Sequence, residues 1–107
     1  MSNAGFVEDR VGYIIVDEQL AFAHKWLEAS SVSGQTSKVY FKKQDVTATV
    51  MPSGTNTVSG IIQVAPPLVG NAAHAGGNYV LEFQATVDGN VEIRKYQLAC
   101  VARGKEL

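Results

Sequence analysis

The chain has 107 residues, 46% of them apolar and 18% charged, with a formal net charge of −1. That length carries one domain around a single core, and the apolar fraction excludes a disordered chain. A charge this close to zero supplies no field toward nucleic acid or an anionic membrane, so neither is expected as a partner.

In chain order, Met1-Ser2-Asn3-Ala4-Gly5 has neither the basic nor the apolar region of a signal peptide. Residues 1–16 then read as an extended, apolar arm on a small domain. Such an arm is hard to bury at home, so Phe6, Tyr13, Ile14 and Ile15 are expected to contact a partner.

The segment from Glu18 to Ala29 reads in two ways. As a helix, Phe22 and Trp26 stack at i,i+4, as do Ala23 and Leu27, and Asp17 caps the start. As a strand, Leu20, Phe22, His24 and Trp26 share one face. Alanine content and the straight-chain Gln19, Lys25 and Glu28 favour helix, which is the expectation over Glu18–Ala29. Residues 30–37 are a polar loop, too short for a linker. Helix and loop together occupy residues 17–37.

Residues 38–103 read as β-structure. Val39 and Phe41 alternate with Lys38, Tyr40 and Lys42. Lys38, Lys42 and Lys43 form a small basic cluster of the kind that solvates a surface. Val46, Ala48 and Val50 alternate with Thr47 and Thr49 as a half-buried strand. Met51-Pro52-Ser53-Gly54 is turn chemistry, Val58–Val64 is a strand weakened by Gly60, and Pro66-Pro67 ends it. A glycine- and alanine-rich loop leads to Tyr79, Leu81, Phe83, Ala85 and Val87, which occupy one face of a strand. Asp88-Gly89 is a strong hairpin turn because both positions tolerate positive φ. On the return strand Val91 and Ile93 are followed by Tyr96, Leu98 and Cys100, one residue out of phase. That shift predicts a β-bulge at Arg94-Lys95. Tyr79 stands where immunoglobulin-like sandwiches place a tyrosine whose hydroxyl bonds back to the backbone.

Cys100 is the only cysteine. It excludes an internal disulfide and a cysteine-rich metal framework, sits in the apolar phase of its strand as a small hydrophobe, and suits a reducing compartment. There is no nucleophile elbow, P-loop, dinucleotide fingerprint, paired-histidine zinc motif or calcium loop. His24 and His74 have no spacing that signals a metal site. The chain is therefore expected to be non-enzymatic, without cofactor or metal.

From about Thr47 to Arg103 the order of elements resembles small virion proteins of tailed bacteriophages. The pieces that carry it are Met51-Pro52-Ser53-Gly54, Ala75-Gly76-Gly77-Asn78-Tyr79, Ala85-Thr86-Val87-Asp88-Gly89-Asn90 and Tyr96-Gln97-Leu98-Ala99-Cys100-Val101. The resemblance implies an immunoglobulin-like antiparallel β-sandwich, here with one N-terminal helix, or else a helix packed on an antiparallel sheet. It also implies a tail, neck or fibre adaptor that is assembled in the host cytoplasm, sits in the virion and touches other virion proteins or copies of itself. A pilin-like or adhesive module, and a small ligand-binding domain or enzyme, are the competing classes.

Overall fold

The computed structural model describes residues 12–53 and 56–104, and the fold they form is mainly β. Its centre is Asn78–Val87 (β9), where Tyr79, Leu81, Phe83, Ala85 and Val87 are all buried, as a period of two requires. Asp88 and Gly89 turn the chain with φ of 49° and 88°. Asn90–Val101 (β10) then returns antiparallel, from Asn90 opposite Val87 to Ala99 opposite Asn78. Val32–Phe41 (β4) pairs antiparallel on the other side of β9 and turns through Lys42-Lys43 into Gln44–Asp45 (β5). Gly12–Ile15 (β1) joins the free side of β10 as a parallel strand, giving the order β1-β10-β9-β4-β5.

Shorter strands cover one face of this sheet. Gln19–Leu20 (β2) pairs with Leu68–Val69 (β8), and Ala23–Lys25 (β3) pairs with Ile62–Val64 (β7), which also pairs with Thr57–Ser59 (β6). The Ala65 N–H donates to the Phe22 carbonyl at 2.9 Å between the two pairings. Beyond it Pro66 and Pro67 have no N–H to give, so the ladder breaks there. Phe22, Trp26 and Leu68 from this layer share one core with Ile14, Val39, Leu81, Phe83 and Leu98 from the large sheet.

One buried polar side chain pins the layers together. Gln63 on β7 is fully buried. Its Oε1 accepts from Trp26 Nε1 at 3.0 Å, and its Nε2 donates to the Thr36 carbonyl on β4 at 3.0 Å and to Asn56 Oδ1 at 3.3 Å. Each polar end of the amide has a partner, so its burial carries no desolvation penalty left uncompensated.

Several expectations need correction. Glu18–Ala29 is not a helix: it contains β2 and β3, with Phe22, Ala23, His24 and Trp26 buried. Pairing with β7 and β8 supplies hydrogen bonds and a two-sided apolar setting that outweigh the alanine propensity. Val46–Val50 is not a strand. Thr47–Val50 forms a single helical turn (α1) that buries Val50. The chain has just reversed at Lys42-Lys43, Asp45 Oδ1 takes the Thr47 N–H at 2.9 Å, and Thr47 Oγ1 takes the Val39 N–H at 2.8 Å. Val58–Val64 is a hairpin, with Gly60 at φ 61° in its turn.

The bulge at Arg94-Lys95 is also absent: Arg94 pairs with Phe83 and Lys95 with Glu82 without interruption. The phase never shifts, because Val91 and Ile93 face outward and Tyr96, Leu98 and Cys100 face inward. A register irregularity lies instead on β4 between Ser33 and Thr36, where Gly34 has φ 60°.

Two stability experiments follow from the backbone. Lys42 and Lys43 carry φ of 51° and 68°, a conformation that costs a residue with a Cβ about 1–2 kcal/mol. Lys43→Gly is expected to raise unfolding free energy by about 0.5–1 kcal/mol in urea titration, part of the relief being offset by glycine's freer unfolded chain. Gly70 is the opposite case, since a Cβ there would lie 2.5 Å from the Ile15 carbonyl oxygen. Gly70→Ala must push two hydrogen-bonded segments apart and is expected to cost about 1–3 kcal/mol in the same assay.

Candidate functional site

Three features of this fold bear on function: a tyrosine corner, a pocket between the layers, and the open face of the large sheet. At the corner, β9 begins with Tyr79 fully buried. Its hydroxyl accepts the Asn71 N–H at 3.1 Å and lies 2.7 Å from His74 Nδ1. Asn71 Oδ1 in turn caps the short 3-10 turn Ala72–His74 by accepting from Ala73 N–H at 2.8 Å. Phe41 stacks on His74 with centroids 4.3 Å apart and lies so close over Gly77 that a Cβ there would meet the ring at 2.5 Å. Burial pushes the Tyr79 phenol upward and the His74 imidazole downward, so both are neutral near pH 7. These hydrogen bonds hold the loop to the start of β9, so Tyr79 serves the architecture, as expected.

The pocket lies where the end of β3 meets the start of β10. It has a volume of about 310 Å³, and Trp26, Leu27, Val87, Asp88, Glu92 and Arg94 contribute to its wall. His24 lines it too, largely buried, with Nδ1 2.5 Å from the Tyr96 hydroxyl and its ring 4.5 Å from that of Trp26. The Arg94 guanidinium lies 5.5 Å from the centre of the Trp26 ring and is bound to Glu92 at 3.0 Å. Burial, and then the positive charge of Arg94, lowers the His24 pKa to about 4. A neutral imidazole against a phenol can share or relay a proton. Asp88 on the rim accepts from the Ser30 and Ser31 N–H groups at 2.9 and 2.8 Å. Among the described residues no group of three or more His, Cys, Asp or Glu side chains could hold a metal ion, and no helix is long and apolar enough to cross a membrane. Cys100 is a buried free thiol on β10.

The third feature is the face of the large sheet that the small strands leave uncovered. Val91 and Ile93, two residues apart on the same side of β10, are 65% and 44% exposed. Their neighbours across the strand are Thr86 and Gln84. Single exposed apolar side chains are ordinary; here two stand side by side on the same face of one strand.

The residues expected to meet a partner are placed differently from one another. Phe6 lies outside the described residues. Tyr13 is on β1 and 38% exposed, Ile15 is half-buried, and Ile14 is fully buried in the core. Residues 12–16 are therefore no free arm: β1 is an edge strand, and Val16 N–H donates to the Val101 carbonyl at 2.8 Å. The pair Val91 and Ile93 was missed because its apolar character was assigned to the core, and the exposed outer phase of β10 was the overlooked signal. Comparison with protein-family models, with curated proteins and with solved structures finds no match.

His24 makes stability depend on pH. Its folded pKa lies below the unfolded value of 6.5, so between about pH 4 and 6.5 the unfolded chain binds the extra proton. Stability is then complete above pH 6.5 and falls as pH drops toward 4, by at most about 3 kcal/mol from this group. His74 shifts in the same direction. His24→Gln is expected to flatten the pH 4–6.5 part of the urea-midpoint profile, and an unchanged slope would refute this role.

Proposed function

We propose that this protein is a non-enzymatic assembly module, an immunoglobulin-like sandwich that works in several copies within a tailed-bacteriophage virion as a tail, neck or fibre adaptor. The carrying observation is the open sheet face with Val91 and Ile93 exposed side by side. Folding leaves this apolar surface in water, and covering it by another protein recovers roughly 25 cal/mol per Å² buried.

The sandwich reading is supported by details of strand order and corner chemistry. A first strand parallel to the last, a three-strand partner layer and a tyrosine bonded back to the preceding loop are all features such domains carry. Leu81 stands two residues after the corner tyrosine, where antibody domains place the second cysteine of their inter-sheet disulfide. With one cysteine in the chain, aromatic packing of His24 against Phe83 at 5.9 Å bridges the layers instead. The virion assignment rests on the order of sequence pieces from Thr47 to Arg103, and fold likeness alone would not carry it.

Two measurements test the reading. Light scattering of the purified protein should give a multi-copy mass for the wild type, lost in Val91→Glu/Ile93→Glu, with circular dichroism unchanged and stability shifted by no more than about 0.5 kcal/mol. Mass spectrometry of particles purified from the host that carries the gene should find the chain as a stoichiometric component. A wild type monomeric at every concentration and absent from particles would overturn the proposal.

A further inference from the structure

The inner face of β10 runs on past the core. Leu98 and Cys100 point inward, and the same two-residue repeat carries Glu92 and Arg94 to that side, away from Val91 and Ile93. There they meet the turn Leu27-Glu28 that follows β3, and the space between is the 310 Å³ pocket. Ligand sites span roughly 300–1,000 Å³, so this one admits a molecule no larger than an amino acid or a simple sugar.

Its lining separates those classes. Trp26 is 2% exposed, with the Arg94 guanidinium 5.5 Å from its centre and the His24 ring 4.5 Å away. No indole face is therefore open for a sugar ring or a base to stack on. Leu27 and Val87 supply apolar wall instead. Arg94 gives one N–H to the Ile93 carbonyl at 2.9 Å and one to Glu92 at 3.0 Å, and a guanidinium carries further donors in the plane of its fork. A carboxylate is the partner whose geometry matches that fork. The inner wall feels the same positive charge, since burial first and Arg94 second lower the His24 pKa.

A simple anion is nevertheless the wrong ligand. Three carboxylates, those of Glu28, Asp88 and Glu92, line the pocket against two cations, Lys25 and Arg94. That excess of negative charge opposes a ligand of net negative charge, and Arg94 over the indole opposes one that is only a cation. A zwitterion meets both conditions. Asp88 and Glu92 are bonded within the domain, to the Ser30 and Ser31 N–H groups and to Arg94. Glu28 is exposed on its turn at φ 63°, and its carboxylate is the one assigned to an ammonium group.

We propose that this pocket binds a free α-amino acid with an aliphatic side chain, its carboxylate on Arg94, its ammonium on Glu28 and its side chain against Leu27 and Val87. The inference goes beyond the assembly reading and does not depend on it, because Val91 and Ile93 lie on the opposite face of the strand.

Trp26 is the only tryptophan, so its emission reports on this pocket alone. Titrating the full chain with L-leucine is expected to change that emission saturably at millimolar concentration or below, with a matching Kd from calorimetry. Isocaproate lacks the ammonium and isoamylamine lacks the carboxylate. Each is expected to bind at least about tenfold more weakly, the effect of losing a charge-assisted contact. This series uses the unaltered chain, so the folding of a variant does not enter. Arg94→Gln should abolish the L-leucine response with circular dichroism unchanged. Glu28→Gly, which suits the positive φ, should weaken L-leucine and leave isocaproate unaffected. No saturable binding of L-leucine, equal binding of isocaproate, or binding undiminished in Arg94→Gln would each overturn the proposal.

Discussion

Because β9 is paired on both sides for nearly its whole length, its two-residue repeat decides which face of the entire large sheet is dry. Tyr79, Leu81, Phe83, Ala85 and Val87 all point one way, and each neighbour inherits that parity through the ladder. On β10 it sends Leu98 and Cys100 inward, and on β4 it sends Ser37 and Val39 inward. A one-residue slip would turn this whole set to water, so the register is fixed by hydrophobic burial as much as by hydrogen bonds. The same parity has a cost at the other end of the hairpin. It directs Val91 and Ile93 outward whatever their own preference, and so creates the exposed apolar pair that the functional reading depends on.

The two ends of β9 are tied down by different chemistry. At its start the Tyr79 hydroxyl gathers the Asn71 N–H and His74, which orders the loop between the two layers. At its end Asp88, already at positive φ in the turn, accepts the Ser30 and Ser31 N–H groups and fixes the crossing from the small sheet into β4. Between these ends the layers meet through rings and through the Gln63 amide. The chain's one cysteine can close no disulfide within it to limit the unfolded state, so these contacts hold the layers together, and a satisfied amide specifies how the layers sit in a way apolar contact alone does not.

What was legible in the sequence followed from local rules. Strict alternation from Tyr79 to Val87 and the Asp88-Gly89 pair gave a hairpin that needs no long-range information, and Tyr79 announced its corner. The largest failure arose because the partner strands were out of sight, and the others because a local signal misled. Leu20 to Trp26 carries helix-favouring residues, and only β7 and β8, some forty residues on, turn it into strand. Lys42-Lys43 adopts a conformation that glycine or asparagine usually signals, so the reversal and the helical turn after it were hidden. Val91 and Ile93 looked like core because apolar residues in a strand usually are. The His24–Tyr96 contact spans 72 positions and leaves no local trace.

The placement of β1 changes how an N-terminal segment can act. Were residues 12–16 a free arm, losing them would leave the core untouched. Ile14 is instead fully buried and β1 is bonded to β10, so the domain needs this strand to close its edge. Under the assembly reading proposed above, contact falls to surfaces that the described residues leave open, among them those of β10. Its outer phase presents Val91 and Ile93, its edge presents Arg94 and Lys95 beside the pocket, and its last residues are the part that β1 occupies. Among the described residues, then, β10 is covered on that side by β1 at one end and by no strand at the other, and the covered end is the one that holds the domain together.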